Sequence, residues 1–348
     1  MAPAEPTLAL RGREQSDEDV PMRRRINVDD AGILRPRDHV AWFAAGQEEL
    51  YTMAVPALAE GLRRGEKLMF IAEEPEPNRL TGVGDVDQLL AGLQLEVLQV
   101  DAVYCRRPEL SASALLDAFE AALRDARAGG FSGIRVVADN TPLVRGSDEE
   151  FDHWLAWEQV ADRFQSDSAV TGICFFNTSE LTRQRQDDLA ALHPVRSTGD
   201  VEPRFSLFAD GDAVFVVGAV DAAAAEQLRR LLSVSHRELV VDLSAAHLMD
   251  EQALLAIAQV ATTQRPLRVR GNAGLKERLA AVSPTGSSLR IEQATGSEAR
   301  CARCGDVIGS YEEAVLVLQD GIARTSLVAD PDRFAAAVAR YHGGCYDG

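Results

Sequence analysis

The sequence predicts an α/β protein: a doubly wound, mostly parallel sheet, then a smaller α/β unit, then a small Cys3His module. Three observations predict it. Strand and helix patterns alternate from Asp38 to about Val195. A second alternation starts at the hairpin signal Asp210-Gly211-Asp212 and contains the apolar run Val240-Val241-Asp242-Leu243-Ser244. Two short pairs, Cys301-x-x-Cys304 and His342-x-x-Cys345, fall near the end. Strands interleaved with helices imply a parallel sheet, because each crossover returns the chain to the same end.

The chain has 348 residues, which predicts two or three domains. Its 46% hydrophobic and 26% charged residues fit a globular protein. No apolar run approaches the roughly 20 residues that span a bilayer, so no membrane association is expected. Met1 to Leu10 lacks a basic flank followed by an apolar stretch, which argues against a secretory signal and for a cytoplasmic location. The net charge of −18 repels phosphate backbones and argues against nucleic-acid binding. Five cysteines in such a chain point to metal rather than to disulfides.

Residues 1–28 read as a tail without apolar periodicity, and Arg23-Arg24-Arg25 marks either a basic docking spot or a solvated run at a domain edge. The first domain is expected over 29–197. It contains helices at 47–64, 111–127, 148–165 and 181–192, and strands at 68–72, 96–100, 133–138 and 170–176. Phe151, Trp154, Trp157 and Leu155 read as the apolar face of the third helix.

Ligands of such sheets bind beyond the carboxyl ends of the strands. Those ends carry Glu73, Asp101, Asp139 and Asn177, which form either a small-molecule pocket or ordinary turn chemistry. His39, before Val40, Trp42 and Phe43, either contacts a ligand or bonds a backbone carbonyl. Cys174 reads as a buried, inert thiol. Cys105, beside Arg106 and Arg107, is either the same or a reactive thiol. Gly61-Leu62-Arg63-Arg64-Gly65-Glu66-Lys67-Leu68 is one residue short of a phosphate-binding loop, lacks its hydroxyl and precedes a strand instead of following one. ATP hydrolysis is therefore not expected, and Gly61 and Gly65 read as the end of a helix.

Asp38-His39-Val40, Glu60-Gly61-Leu62-Arg63-Arg64-Gly65-Glu66 and Ala138-Asp139-Asn140-Thr141-Pro142 resemble the MEDS sensory domain. That resemblance implies a core similar to RecA-type ATPases and the sensing of a small organic molecule.

The second domain is expected over 203–295. Asp250 is placed to cap a helix whose apolar face holds Leu254, Ile257, Ala258 and Ala261. The strand, loop, Asp and helix resemble the centre of STAS domains, the anti-sigma-factor antagonists. The resemblance implies partner binding around Asp250, Glu251 and Gln252, by an anti-sigma factor or a serine-kinase-like protein. Regulated members carry a phosphorylated serine where this chain has Glu251, and a glycine where it has Ala253. Glu251 reads either as a position no longer switched or as a plain helix cap.

The last module is expected over 296–348. Cys301, Cys304, His342 and Cys345 supply two pairs of ligands, which suits a closed, structural Zn2+ site. The module resembles a zinc ribbon or treble clef, and 332–341 reads as a helix. The expected function is a non-enzymatic regulatory adaptor coupling small-molecule sensing to partner switching. The alternatives are an enzyme built on the strand-end carboxylates, for which no nucleophile–base pair is evident, and a zinc-dependent nucleic-acid-binding regulator, which the charge opposes.

Overall fold

A computed structural model describes residues 23–104, 111–235, 239–261, 265–271, 273–283, 288–293 and 299–346. The first unit runs β1 (Ile26–Val28), β2 (His39–Ala44), α1 (Gln47–Arg63), β3 (Lys67–Ala72), α2 (Val86–Ala91), β4 (Leu95–Gln99), α3 (Val100–Tyr104), α4 (Ala112–Ala128), β5 (Ile134–Asp139), α5 (Thr141–Val144), α6 (Asp148–Asp167), β6 (Val170–Asn177), α7 (Arg183–Leu192) and β7 (Val195–Ser197). Its seven strands form one sheet in the order β1-β7-β2-β6-β5-β3-β4. All of the pairings are parallel.

The expected parallel sheet is therefore present, and larger than the four strands read from sequence. The stretch His39-Val40-Ala41-Trp42-Phe43-Ala44 is a central strand, lying between β7 and β6. Ile26–Val28 pairs with Val195–Ser197, so the sheet begins inside the segment read as a tail. Arg23 is buried, not part of a solvated run.

Local chemistry sets the ends of the helices. Ser147 and Glu150 form a reciprocal capping box at the start of α6. Gly65 takes a left-handed φ of 70° just after α1, which a side chain would resist. Gly61 lies inside α1 instead of ending it: a Cβ there would meet Leu68 at 2.7 Å and Arg135 at 2.8 Å. Buried Arg135 pairs through its Nε with Glu66 Oε2 at 2.6 Å, and Lys67 pairs with Glu96 at 2.5 Å. The stretch once resembling a phosphate loop thus supports the sheet.

The second unit comprises β8 (Phe205–Asp210), β9 (Ala213–Val220), α8 (Ala222–Ser233), β10 (Leu239–Asp242), β11 (Ala246–Met249), α9 (Glu251–Val260), β12 (Leu267–Gly271), α10 (Ala273–Val282) and β13 (Leu289–Gln293). The β8–β9 hairpin is antiparallel, while β11-β9-β10-β12-β13 pair in parallel. The third unit holds β14 (Ala314–Leu318), β15 (Gly321–Thr325), α11 (Pro331–Ala336) and β16 (Ala339–His342), with an antiparallel sheet in the order β15-β14-β16. The helix expected over 332–341 is thus only a short helix. Ala337 turns extended, and Val338 N–H bonds Val317 O at 2.9 Å, starting the β14–β16 pairing.

One apolar core crosses from the first unit to the second, joining Phe151, Trp157, Leu189 and Leu192 to Phe205, Leu207 and Leu228. Arg23 pins the joint: its Nη1 donates to Asp162 Oδ1 at 2.7 Å and to Ala209 O at 2.8 Å. Tyr311 Oη of the third unit donates to Asp210 Oδ2 at 2.7 Å and lies 3.0 Å from Arg23 O. Among the described residues no helix is long and apolar enough to cross a membrane.

Candidate functional site

The strand-end residues are partly gathered. Asp139 ends β5, is buried, and accepts from Thr141 N and from Gln47 Nε2, both at 3.1 Å. Asn177 ends β6 and accepts from Gly46 N at 3.0 Å, while its own N–H donates to Thr141 Oγ1 at 2.9 Å. Its amide also donates to Glu180 Oε1 at 2.8 Å, and Arg145 bridges Glu180 to Glu73. Glu73, Asp139 and Asn177 therefore share one network over the carboxyl ends of β3, β5 and β6. Among the described residues no contact joins Asp101 to it. That residue is exposed on α3, because the chain turns helical directly after β4. An open groove of about 520 Å3 lies beside the network, lined by Phe43, Thr178, Arg183, Gln186 and Ser197 among others. Cys105 lies outside the described residues.

In the second unit Asp250 caps α9 by accepting from Ala253 N at 2.9 Å. Glu251 and Gln252 are exposed, and Asp250 is half-buried. In the third unit Cys301, Cys304, His342 and Cys345 each bring a ligand atom within 4.8 Å of the others. The Cys304 and Cys345 sulfurs lie 3.4 and 3.9 Å from His342 Nδ1. Tetrahedral zinc with its usual bond lengths separates N and S ligands by about 3.6 Å. The Nε2 of His342 donates to Val307 O at 3.2 Å, leaving Nδ1 to face the sulfurs. Gly305, at φ 76°, lets the first Cys pair turn tightly. The donor set fits a closed metal site.

His39 lies away from the strand-end network, in the amino half of the sheet opposite Gly172 of β6. Among the described residues its ring bonds no backbone carbonyl. Its Nδ1 lies 3.1 Å from Asp162 Oδ1 and its Nε2 3.1 Å from Glu158 Oε2. Cys174 Sγ is 3.8 Å from the same Nε2. His193 packs against His39 with ring centroids 4.0 Å apart and the planes tilted by 38°. The Nδ1 of His193 donates to Leu189 O at 2.7 Å, and its Nε2 points at Glu158 Oε2, 3.6 Å away. Trp154 Nε1 donates to the other Glu158 oxygen at 2.6 Å. A cavity of about 40 Å3 adjoins this cluster, bordered by His39, Glu158, Cys174, Asn140 and Gln165. That is room for a few water molecules, well below the size of most organic-ligand pockets.

Burial works against charge on the His39 imidazole, yet hydrogen bonds with Asp162, Cys174 and Glu158 hold its pKa well above the ordinary value. Burial and the neighbouring His39 push His193 down to about 3, so it is neutral. Asp162 is drawn to about 2: burial opposes its charge, but Arg23 and His39 outweigh it. Burial, with Glu158 beside it, pushes the Cys174 thiol up to about 11. The His39 ring thus lies between two buried carboxylates, next to an inert thiol.

A helix-covered parallel sheet with a polar cluster inside it is the setting in which the family comparison falls. Residues 38–194 match the MEDS domain, the MEthanogen/methylotroph, DcmR Sensory domain. The matched MEDS region spans β2 to α7 and stops before β8, so it covers neither the second unit nor the Cys3His cluster. No curated protein matches the chain. Within the MEDS region, sequence reasoning singled out His39 and missed Glu158, Asp162 and His193. The available signal was the spacing Trp154, Glu158, Asp162: two carboxylates one helical turn apart, on a helix otherwise rich in buried apolar residues.

Proposed function

We propose that this protein is a regulatory adaptor in which the MEDS region senses a small organic molecule and the second unit carries the response to a protein partner. The MEDS match suggests a signalling or regulatory role. The finer reading is an anti-sigma-factor antagonist-like adaptor without enzymatic activity, whose partner is an anti-sigma factor or a serine-kinase-like protein. The observation that carries it is the first turn of α9: Glu251 and Gln252 stand exposed at a capped helix start. This unit also shares a core with the sensor, so a change in one reaches the other. Glu251 gives the turn a fixed negative charge where a serine would have been switchable. Control then falls to the sensor. The Cys3His cluster holds a structural Zn2+ that stiffens a unit with little core of its own.

The test titrates the full chain, by calorimetry, against purified anti-sigma factors and serine kinases from its own cell. A partner binding with micromolar or better affinity is expected, and Glu251→Arg should weaken it at least about tenfold by placing a cation in the docking turn. Absence of binding to all of them, or equal binding by the variant, would overturn the adaptor reading.

A further inference from the structure

We propose that His39, Glu158, Cys174 and His193 form a buried tetrahedral site for a divalent transition metal inside the MEDS region. Their donor atoms all lie within 4.8 Å of one another, and all four residues are buried. The separations fit a common ion: 3.1 Å from His39 Nε2 to Glu158 Oε2, 3.6 Å from His193 Nε2 to the same oxygen, and 3.8 Å from Cys174 Sγ to His39 Nε2. Nitrogen, oxygen and sulfur donors around tetrahedral zinc stand about 3.3–3.6 Å apart, so on metal entry the His39–Glu158 pair opens by about 0.2 Å and the Cys174 sulfur closes by as much.

The outward atoms carry the argument further. His39 Nδ1 is held by Asp162, His193 Nδ1 by Leu189 O, and Glu158 Oε1 by Trp154. Each partner fixes the orientation of its ligand and turns the remaining lone pair inward, as outer-shell groups do at metal centres. The carbonyl of Leu189 can only accept, so the His193 proton sits on Nδ1. Its Nε2 is then a buried lone pair, and it has no hydrogen-bond partner among the described residues. It faces a carboxylate oxygen that is also an acceptor. Two acceptors pointing at one another inside a core is an unfavourable arrangement without a cation between them.

Metal entry forms bonds from the ion to His39 Nε2, His193 Nε2, Glu158 Oε2 and Cys174 Sγ, and protons on the His39 nitrogen and the Cys174 sulfur leave to solvent as those bonds form. Nitrogen, oxygen and sulfur donors together suit zinc, ferrous iron or cobalt better than calcium or magnesium. The cavity beside His39, Glu158 and Cys174 gives a small donor molecule room next to the ion.

The test uses the full chain, stripped by chelator and reloaded with Co2+, with metal counted by mass spectrometry. The wild type should bind two equivalents, and Cys304→Ser and Cys174→Ala one each. The cobalt-loaded Cys304→Ser protein should keep a thiolate-to-cobalt charge-transfer band that Cys174→Ala applied on top of it removes. A Cys304→Ser chain with wild-type circular dichroism that takes up no Co2+ overturns the buried site. Equal metal content in wild type and Cys304→Ser, with loss in Cys174→Ala, supports the buried site and sinks the Cys3His one instead. Where Cys174→Ala does not fold, His193→Gln replaces it, since its amide nitrogen can still donate to Leu189 O.

Discussion

Arg23 has one exposed neighbourhood in the sequence and another in the fold. Three consecutive arginines read as one feature, yet each goes elsewhere: Arg23 to Asp162 and Ala209, Arg24 to Asp38, Arg25 to Ser206. The partners lie up to 186 positions away, so no local pattern separates the three. Removing Arg23 leaves Asp162 in the core with, among the described residues, the His39 N–H and the Ala209 N–H as compensation. Arg23→Ala should therefore cost about 3–5 kcal/mol in urea unfolding, the range for breaking a buried pair from one side. The Arg23→Ala/Asp162→Asn double variant should cost less than Arg23→Ala alone, because it removes the stranded charge as well. A variant Arg23→Ala as stable as the parent would mean that the guanidinium does not hold the joint.

Elements follow the sequence where one rule decides them and depart where two compete. The helix at 148–165 is observed as Asp148–Asp167 because its cap and its apolar face agree. Its polar residues were harder to read, since Glu158 and Asp162 are ordinary on a solvated face and become telling only once that face is known to be buried. The same limit applies to β2, whose His39 and Trp42 disguise a central strand. The strand-end positions Asp139 and Asn177 were legible because parallel topology fixes which end of each strand faces the loops. In α1 the competing rules concern Gly61. Helix propensity favours Gly61→Ala by about 1 kcal/mol. The added Cβ would nevertheless sit 2.7–2.8 Å from Leu68 and Arg135. Overpacking of this kind costs about 1–3 kcal/mol, so a net loss is expected in thermal or urea unfolding. In α9 no such conflict exists. Asp250→Ala removes only the cap bond to Ala253 N and should cost about 1 kcal/mol.

At the scale of the whole molecule, the contact between α7 of the MEDS region and α8 of the second unit is held by Arg230. Its guanidinium reaches Asp188 Oδ2 at 2.6 Å and Asp152 Oδ1 at 2.7 Å, and Gln159 Nε2 donates to Leu231 O at 2.7 Å nearby. Asp188 is almost wholly buried. Burial raises its carboxyl to about 6, and Arg230 offsets only part of that cost. Between about pH 4 and pH 6 the folded chain therefore holds this proton while the unfolded chain has lost it, so lowering the pH through that window favours folding. The full effect is bounded at about 3 kcal/mol, and Arg230 together with neighbouring Asp152 will reduce it. The measurement is the difference in unfolding free energy between wild type and Asp188→Asn, followed from pH 7 to pH 4.5, which cancels every other titrating group. Wild type should gain on the variant as the pH falls, and both should unfold in one transition, since the two units share a core. A difference that stays flat across the window would mean that the Asp188 carboxylate is as well solvated or as well paired in the fold as outside it, and two separated transitions would mean that the sensor and the second unit stand apart.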